Sequence, residues 1–121
     1  MSLCILAAGK TMRLAASVFT LSWTHSAERT QWEELWSVSA VGLHIIESRI
    51  KGSGAGMEPT PNGVLKDGWW VYRPQLPAQK RLLLAASGKT ASGWTICASG
   101  RCQNLGEAEE GPLTLEPCPP H

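Results

Sequence analysis

The stretch Val18-Phe19-Thr20-Leu21-Ser22-Trp23-Thr24-His25-Ser26 decides the fold class. Its odd positions are Phe19, Leu21, Trp23 and His25, and the even positions between them are Thr20, Ser22 and Thr24. One face is apolar and the other hydroxylic, the alternation of a half-buried antiparallel strand. The same period continues outward. Trp32 to Ala40 sets Trp32, Glu34, Trp36, Val38 and Ala40 on one face. Leu43 to Lys51 sets Leu43, Ile45, Glu47 and Arg49 against His44, Ile46, Ser48 and Ile50, apolar on both sides in its middle, as a central strand would be. Shorter strands fit Leu3–Ala8, Thr11–Ala16, Trp69–Arg73, Arg81–Ala86, Trp94–Ala98 and Cys102–Leu105. One segment has a competing reading: Trp32, Leu35 and Trp36 also suit helical spacing, with Glu33 and Glu34 as tolerable helix formers.

Gly9, Gly42 and Gly100 supply tight reversals between these runs. Short strands at regular spacing with turn signals predict an all-β fold, a single small antiparallel meander, barrel or sandwich of about eight strands. Gly52 to Gly68 reads as a loop. The expected domain spans residues 1–105. Residues 106–121, where Pro112, Pro117, Pro119 and Pro120 lie among acids, read as a disordered and dispensable tail.

With 121 residues the chain is one domain's worth, too short for a two-domain enzyme with an interdomain cleft. The net charge is +1, which argues against a nucleic-acid partner. That balance hides an asymmetry. Glu107, Glu109, Glu110 and Glu116 follow Asn104 with no Lys or Arg, so the first 104 residues hold 11 basic against six acidic side chains. Six Trp against one Phe and one Tyr imply a core or cleft with polar edges, because each indole N–H seeks a partner. No apolar run approaches the ~20 residues of a membrane helix. The six residues Leu3–Ala8, with no basic residue before them, do not make a secretory signal, so the default expectation is cytoplasmic.

Two Gly-Lys-Thr strings, at Gly9 and Gly88, lack the glycine five residues earlier that a phosphate loop needs, and read as turns. In Cys97-Ala-Ser-Gly-Arg-Cys102 a two-residue Ser99-Gly100 turn sets the cysteines opposite each other, close enough for a disulfide or for two packed thiols. Cys4 and Cys118 lie far off with no paired spacing, so no zinc site is expected, and no cofactor motif occurs.

The main functional clue is polar groups on apolar faces. If Val41-Gly42 closes the second hairpin with Ala40 opposite Leu43, then Trp36 faces Glu47 and Glu34 faces Arg49. His25 falls opposite Trp32 or Glu34. One end of three neighbouring strands then gathers His25, Glu34, Glu47 and Arg49, with the loop Gly52-Ser53-Gly54-Ala55-Gly56 leaving from it. Such a cluster is either a salt-bridged structural end or a site for a small carboxylate or a partner. The glycine loop is either an anion-binding nest or a sharp turn beside tryptophans. A small enzyme using His25 as general base, oriented by Glu34 or Glu47, is the competing class.

Taken together, Phe19-Thr-Leu-Ser-Trp-Thr-His25-Ser26-Ala-Glu28, Glu33-Glu34, Trp36, Leu43 to Glu47, Gly52-Ser-Gly-Ala-Gly-Met57, Asp67-Gly-Trp-Trp70 and Cys97 to Cys102 resemble the bacterial family called domain of unknown function 1850. The resemblance covers roughly residues 3–104 and adds Ser26 and Glu28 to the candidate cluster. Family members are commonly encoded beside, or fused to, membrane subunits of TAXI-type tripartite ATP-independent periplasmic transporters. The resemblance therefore implies an accessory role in solute uptake, with that membrane subunit as partner; the residues themselves favour a non-enzymatic mode, by protein contact or by binding a small anionic solute. Many relatives carry an amino-terminal apolar anchor that places the domain outside the cytoplasm; the opening residues here do not read as one, so membrane association through a partner, or an extracytoplasmic place as in those relatives, stands as the alternative to the cytoplasmic default.

Overall fold

A computed structural model describes residues 1–7, 9–25, 30–51, 63–84, 93–105 and 112–119, with His25 and Thr30 described for their backbone. The alternating segments become antiparallel strands: β1 (Ser2–Ala7), β2 (Lys10–Ala15), β3 (Val18–His25), β4 (Thr30–Ser39), β5 (Gly42–Lys51), β6 (Val64–Lys66), β7 (Trp69–Tyr72), β8 (Leu82–Leu84), β9 (Trp94–Ala98), β10 (Arg101–Leu105) and β11 (Leu113–Pro117). The Trp32–Trp36 segment is strand rather than helix.

The strands form two open sheets, a four-stranded one ordered β2-β1-β11-β8 and a seven-stranded one ordered β10-β9-β3-β4-β5-β7-β6. Neither closes into a barrel. One apolar core joins them: Leu3, Ile5, Leu84, Leu113 and Leu115 of the smaller sheet cluster with Phe19, Leu21, Trp36, Val38, Leu43, Ile45 and Ile96 of the larger. Each set follows the period of its strand, so alternation in sequence becomes a buried layer between sheets.

Two strands lie where none was expected. β6 falls within the presumed Gly52–Gly68 loop and pairs with β7 through an Asp67-Gly68 turn, whose φ angles of 52° and 85° are the left-handed pair that a two-residue hairpin demands. β11 falls in the presumed tail. It is hydrogen-bonded on both sides, to β1 from Leu3↔Pro117 to Leu6↔Thr114 and to β8 from Leu113↔Leu84 to Leu115↔Leu82. The disordered-tail expectation is therefore corrected for residues 113–117. Burial of Leu113 and Leu115 outweighs their acidic, proline-rich surroundings, and Pro117 sits at the strand's end, where proline is tolerated.

The second hairpin also differs from expectation. Its turn is Ala40-Val41, with Ser39 opposite Gly42, instead of Val41-Gly42 with Ala40 opposite Leu43. Gly42 has φ of 140°, and the Gln79 carbonyl comes so close that any Cβ there would strike it. That approach lets Leu43 and Gln79 exchange backbone hydrogen bonds of 2.6 and 2.7 Å. Gly42→Ala is expected to destabilise the protein by about 3 kcal/mol, from backbone strain and the lost bridge, read as a lower denaturation midpoint in urea. An unchanged midpoint would refute the close approach.

Candidate functional site

The larger sheet has two chemically different faces, and cross-strand pairing assigns residues to them. Toward the core, Trp23 pairs with Trp32, Trp32 with Ile50 and Ile50 with Trp70. Trp23 stacks on Trp32 at 5.8 Å between ring centroids and meets Trp94 at 5.0 Å. Four indoles thus lie in one row across the sheet. The adjacent row runs Ile96, Leu21, Glu34, Ser48 and Tyr72, so a carboxyl and a hydroxyl are set beside an aromatic wall.

The polar groups of this inner face are only partly satisfied. Trp36 Nε1 donates to Glu34 Oε1 at 3.1 Å. Burial pushes the Glu34 carboxyl above its ordinary value of 4.5, with the Trp36 hydrogen bond pulling partly the other way. Ser48 is 1% exposed, and neither its Oγ nor the buried Trp32 Nε1 has a hydrogen-bond partner among the described residues. A buried donor left alone costs about 1–3 kcal/mol, so both groups suit a bridging water or a small polar ligand.

The raised carboxyl has a signed consequence. A proton binds the folded form more tightly than the unfolded form. Stability is therefore greatest below 4.5 with respect to this group, and falls as pH rises from there through the folded value. Glu34→Gln is expected to raise the melting temperature at neutral pH and to flatten the decline above pH 4.5. A variant less stable than the parent at pH 7 would show that the carboxylate is held by compensating contacts.

The outer face carries the charges. The Arg49 guanidinium donates to the Glu33 carboxylate, and its Nε lies 3.7 Å from Glu47 Oε2. The Arg49 and Lys51 cations lie 5.6 and 5.5 Å from the Trp69 ring centroid. Beside them a groove of about 330 Å³ is lined by Ser22, Thr24, Gln31, Glu33, Trp69 and Thr95. These ion pairs are partly exposed, and each contributes at most about 1 kcal/mol.

The expected cluster is therefore split between the faces. The cause is a bulge between Leu35 and Trp36, where β4 steps from Glu47 to Ile45 and Ile46 has no partner across it. Beyond the bulge, Glu47 and Arg49 turn outward, while Ser48 and Ile50 turn inward. Arg49 consequently pairs with Glu33 instead of Glu34, and Glu47 with Leu35 instead of Trp36. His25 pairs with Thr30, not with Trp32 or Glu34. Glu34 lies four residues farther along β4, roughly 13 Å at strand rise, so the register gives it no place orienting His25. Ser26, Glu28 and the loop Gly52, Ser53, Gly54, Ala55 and Gly56 lie outside the described residues.

Sequence reasoning missed Glu33, Ser48 and Trp69 as site members. The adjacent pair Ile45-Ile46, read as a doubly buried centre, was the available sign of the bulge. The cysteines join as Cys97–Cys102 across the β9–β10 hairpin and as Cys4–Cys118 between β1 and the residue after β11. Among the described residues no group of three His, Cys, Asp or Glu side chains could hold a metal, and no helix is long and apolar enough to cross a membrane.

A family described as domain of unknown function (DUF1850) matches residues 19–105, from the start of the alternating β3 core to the end of β10. The chain belongs to the DUF1850 family. The matched span holds all seven strands of the larger sheet, and with them both faces of the candidate site. It leaves out β1, β2 and β11, so the family signature lies on the sheet that holds the candidate residues, along with β8. No curated protein and no solved structure matches this DUF1850 chain.

Proposed function

We propose that this DUF1850 domain is a non-catalytic accessory component of a TAXI-type tripartite ATP-independent periplasmic transport system, working by protein contact with the membrane subunit. The reading rests on membership of the DUF1850 family, matched over the seven-stranded sheet, and on the association with such transporters that the resemblance to that family implies. Its outer face supplies a contact surface of suitable chemistry. Trp69 beneath two cations, and an arginine paired with carboxylates, are residue types that dominate binding energy at protein interfaces.

Binding of a small anionic solute at this end is less well supported, because Arg49 is already engaged by Glu33 and Glu47. An enzyme with His25 as general base is weaker still, given the register that separates it from Glu34. All four cysteines are paired, which favours the oxidising side of the membrane over the cytoplasm.

The test is co-purification of the tagged chain with a TAXI-type membrane subunit from the same genome. Enrichment over an unrelated membrane protein is expected. Arg49→Glu should reduce it at least about tenfold, since charge reversal at a contact commonly costs that much. No enrichment over the control would overturn the reading.

A further inference from the structure

We infer that the opposite end of the molecule holds a separate binding site for an amphipathic carboxylate. β5 runs from Gly42 to Lys51, and the outer-face cluster lies toward its Lys51 end. At the Gly42 end a cleft of about 880 Å³ opens where the two sheets meet. That volume lies within the range of small-molecule sites. Met1, Val41 and Pro117 contribute apolar lining, with Val41 76% exposed, and Arg13, Lys80 and Glu116 bring charge to the same walls.

The fold places those charges by independent means. Arg13 and Glu116 flank Cys4 in the pairing of β2, β1 and β11, and the disulfide from Cys4 to Cys118 ties that wall together. Lys80 follows Gln79, which is pinned to Leu43 by the paired backbone hydrogen bonds that Gly42 permits. None of the three charged groups forms an ion pair among the described residues, in contrast to Arg49.

The balance selects the ligand class. The side chains of Arg13 and Lys80 outnumber that of Glu116 on these walls, so the cleft favours an anionic group. A cation would face Arg13 and Lys80. The apolar walls reward a hydrocarbon body, at about 0.8 kcal/mol for each buried methylene. An alkyl carboxylate meets both conditions. The site is distinct from the face assigned to partner contact, so either can fail alone.

Titration calorimetry with octanoate, octylamine and acetate on the full chain tests it. Octanoate is expected to bind at least about tenfold more tightly than octylamine, through charge, and than acetate, through its tail. The double variant Arg13→Ala/Lys80→Ala should weaken octanoate at least about tenfold. Val41→Asp, at an exposed turn position, should do so independently if that double variant melts abnormally. Equal binding of octanoate and octylamine, or octanoate binding unchanged in folded variants, would overturn the proposal. So would sedimentation with phosphatidylglycerol vesicles without any octanoate heat, which would assign the cleft to a lipid surface.

Discussion

Deleting residues 106–121 is expected to abolish cooperative folding, although composition alone marks this stretch as a dispensable tail. The deletion removes β11 from between β1 and β8. It strips both neighbours of their cross-strand partners and extracts Leu113 and Leu115, each fully buried. Truncating one buried leucine to alanine typically costs about 2–5 kcal/mol. Two such losses, seven broken strand pairings and the lost tether at Cys118 together exceed the ~5–15 kcal/mol by which a domain is stable. Loss of the sigmoidal melt monitored by tryptophan fluorescence is the expected readout. Leu115→Ala should give the graded version, a lower midpoint with the transition intact. Removing only residues 119–121 leaves the disulfide and the strand in place and should change little. A full truncation that melts like the parent would mean that β11 contributes nothing to the core.

What the sequence disclosed and what it concealed follow from the range of each interaction. Phe19, Leu21 and Trp23 disclose their strand because alternation is a local property, readable within nine residues. The Ser99-Gly100 turn likewise discloses the β9–β10 hairpin and the facing of Cys97 and Cys102, which the pairing reproduces. The Asp67-Gly68 turn carried the same kind of local signal for β6, since Val64-Leu65 precede it and Trp69-Trp70 follow it. β11 is different. Leu113-Thr114-Leu115 is too short to show a period, and its strand partners in β1 lie over a hundred residues away. Nothing within its own neighbourhood says that Leu3 and Ile5 need covering.

The site suffered from a one-residue error with a two-sided effect. The residue types were legible: an acid within a tryptophan strand, and acid and arginine continuing an apolar face. Their mutual arrangement was not, because the bulge at Ile46 shifts β5 by one residue, and such a shift exchanges the faces. Glu47 and Arg49 move out to Glu33 and Trp69, and Ser48 moves in beside Glu34. The supposed single cluster becomes a charged outer surface and a sparsely satisfied inner one. The partners follow suit, since an ion-paired exterior with a half-buried indole suits protein contact, whereas the inner row suits water or a small polar group.

Replacing both members of Cys4–Cys118 with serine is expected to lower stability by about 4–5 kcal/mol, whereas the same change at Cys97–Cys102 should cost about 2 kcal/mol. The difference comes from the unfolded chain. The first bridge closes a separation of 114 residues, and the second closes only five. Restricting the longer loop removes more conformational freedom from the unfolded ensemble. The first bridge also holds β1 to the end of β11, the pairing between opposite ends of the chain, where the Cys118 amide already donates to the Ser2 carbonyl at 2.9 Å. At this size the larger loss corresponds to a melting point lower by roughly 15–20 °C. Thermal melts of the two double-serine variants, compared with the parent under oxidising and reducing conditions, read both values. In reductant the parent should melt at or below the Cys4→Ser/Cys118→Ser variant, since it loses both bridges. Equal losses for the two bridges would reject loop length as the cause. A reduced parent as stable as the oxidised one would remove the reason for placing the domain in an oxidising compartment.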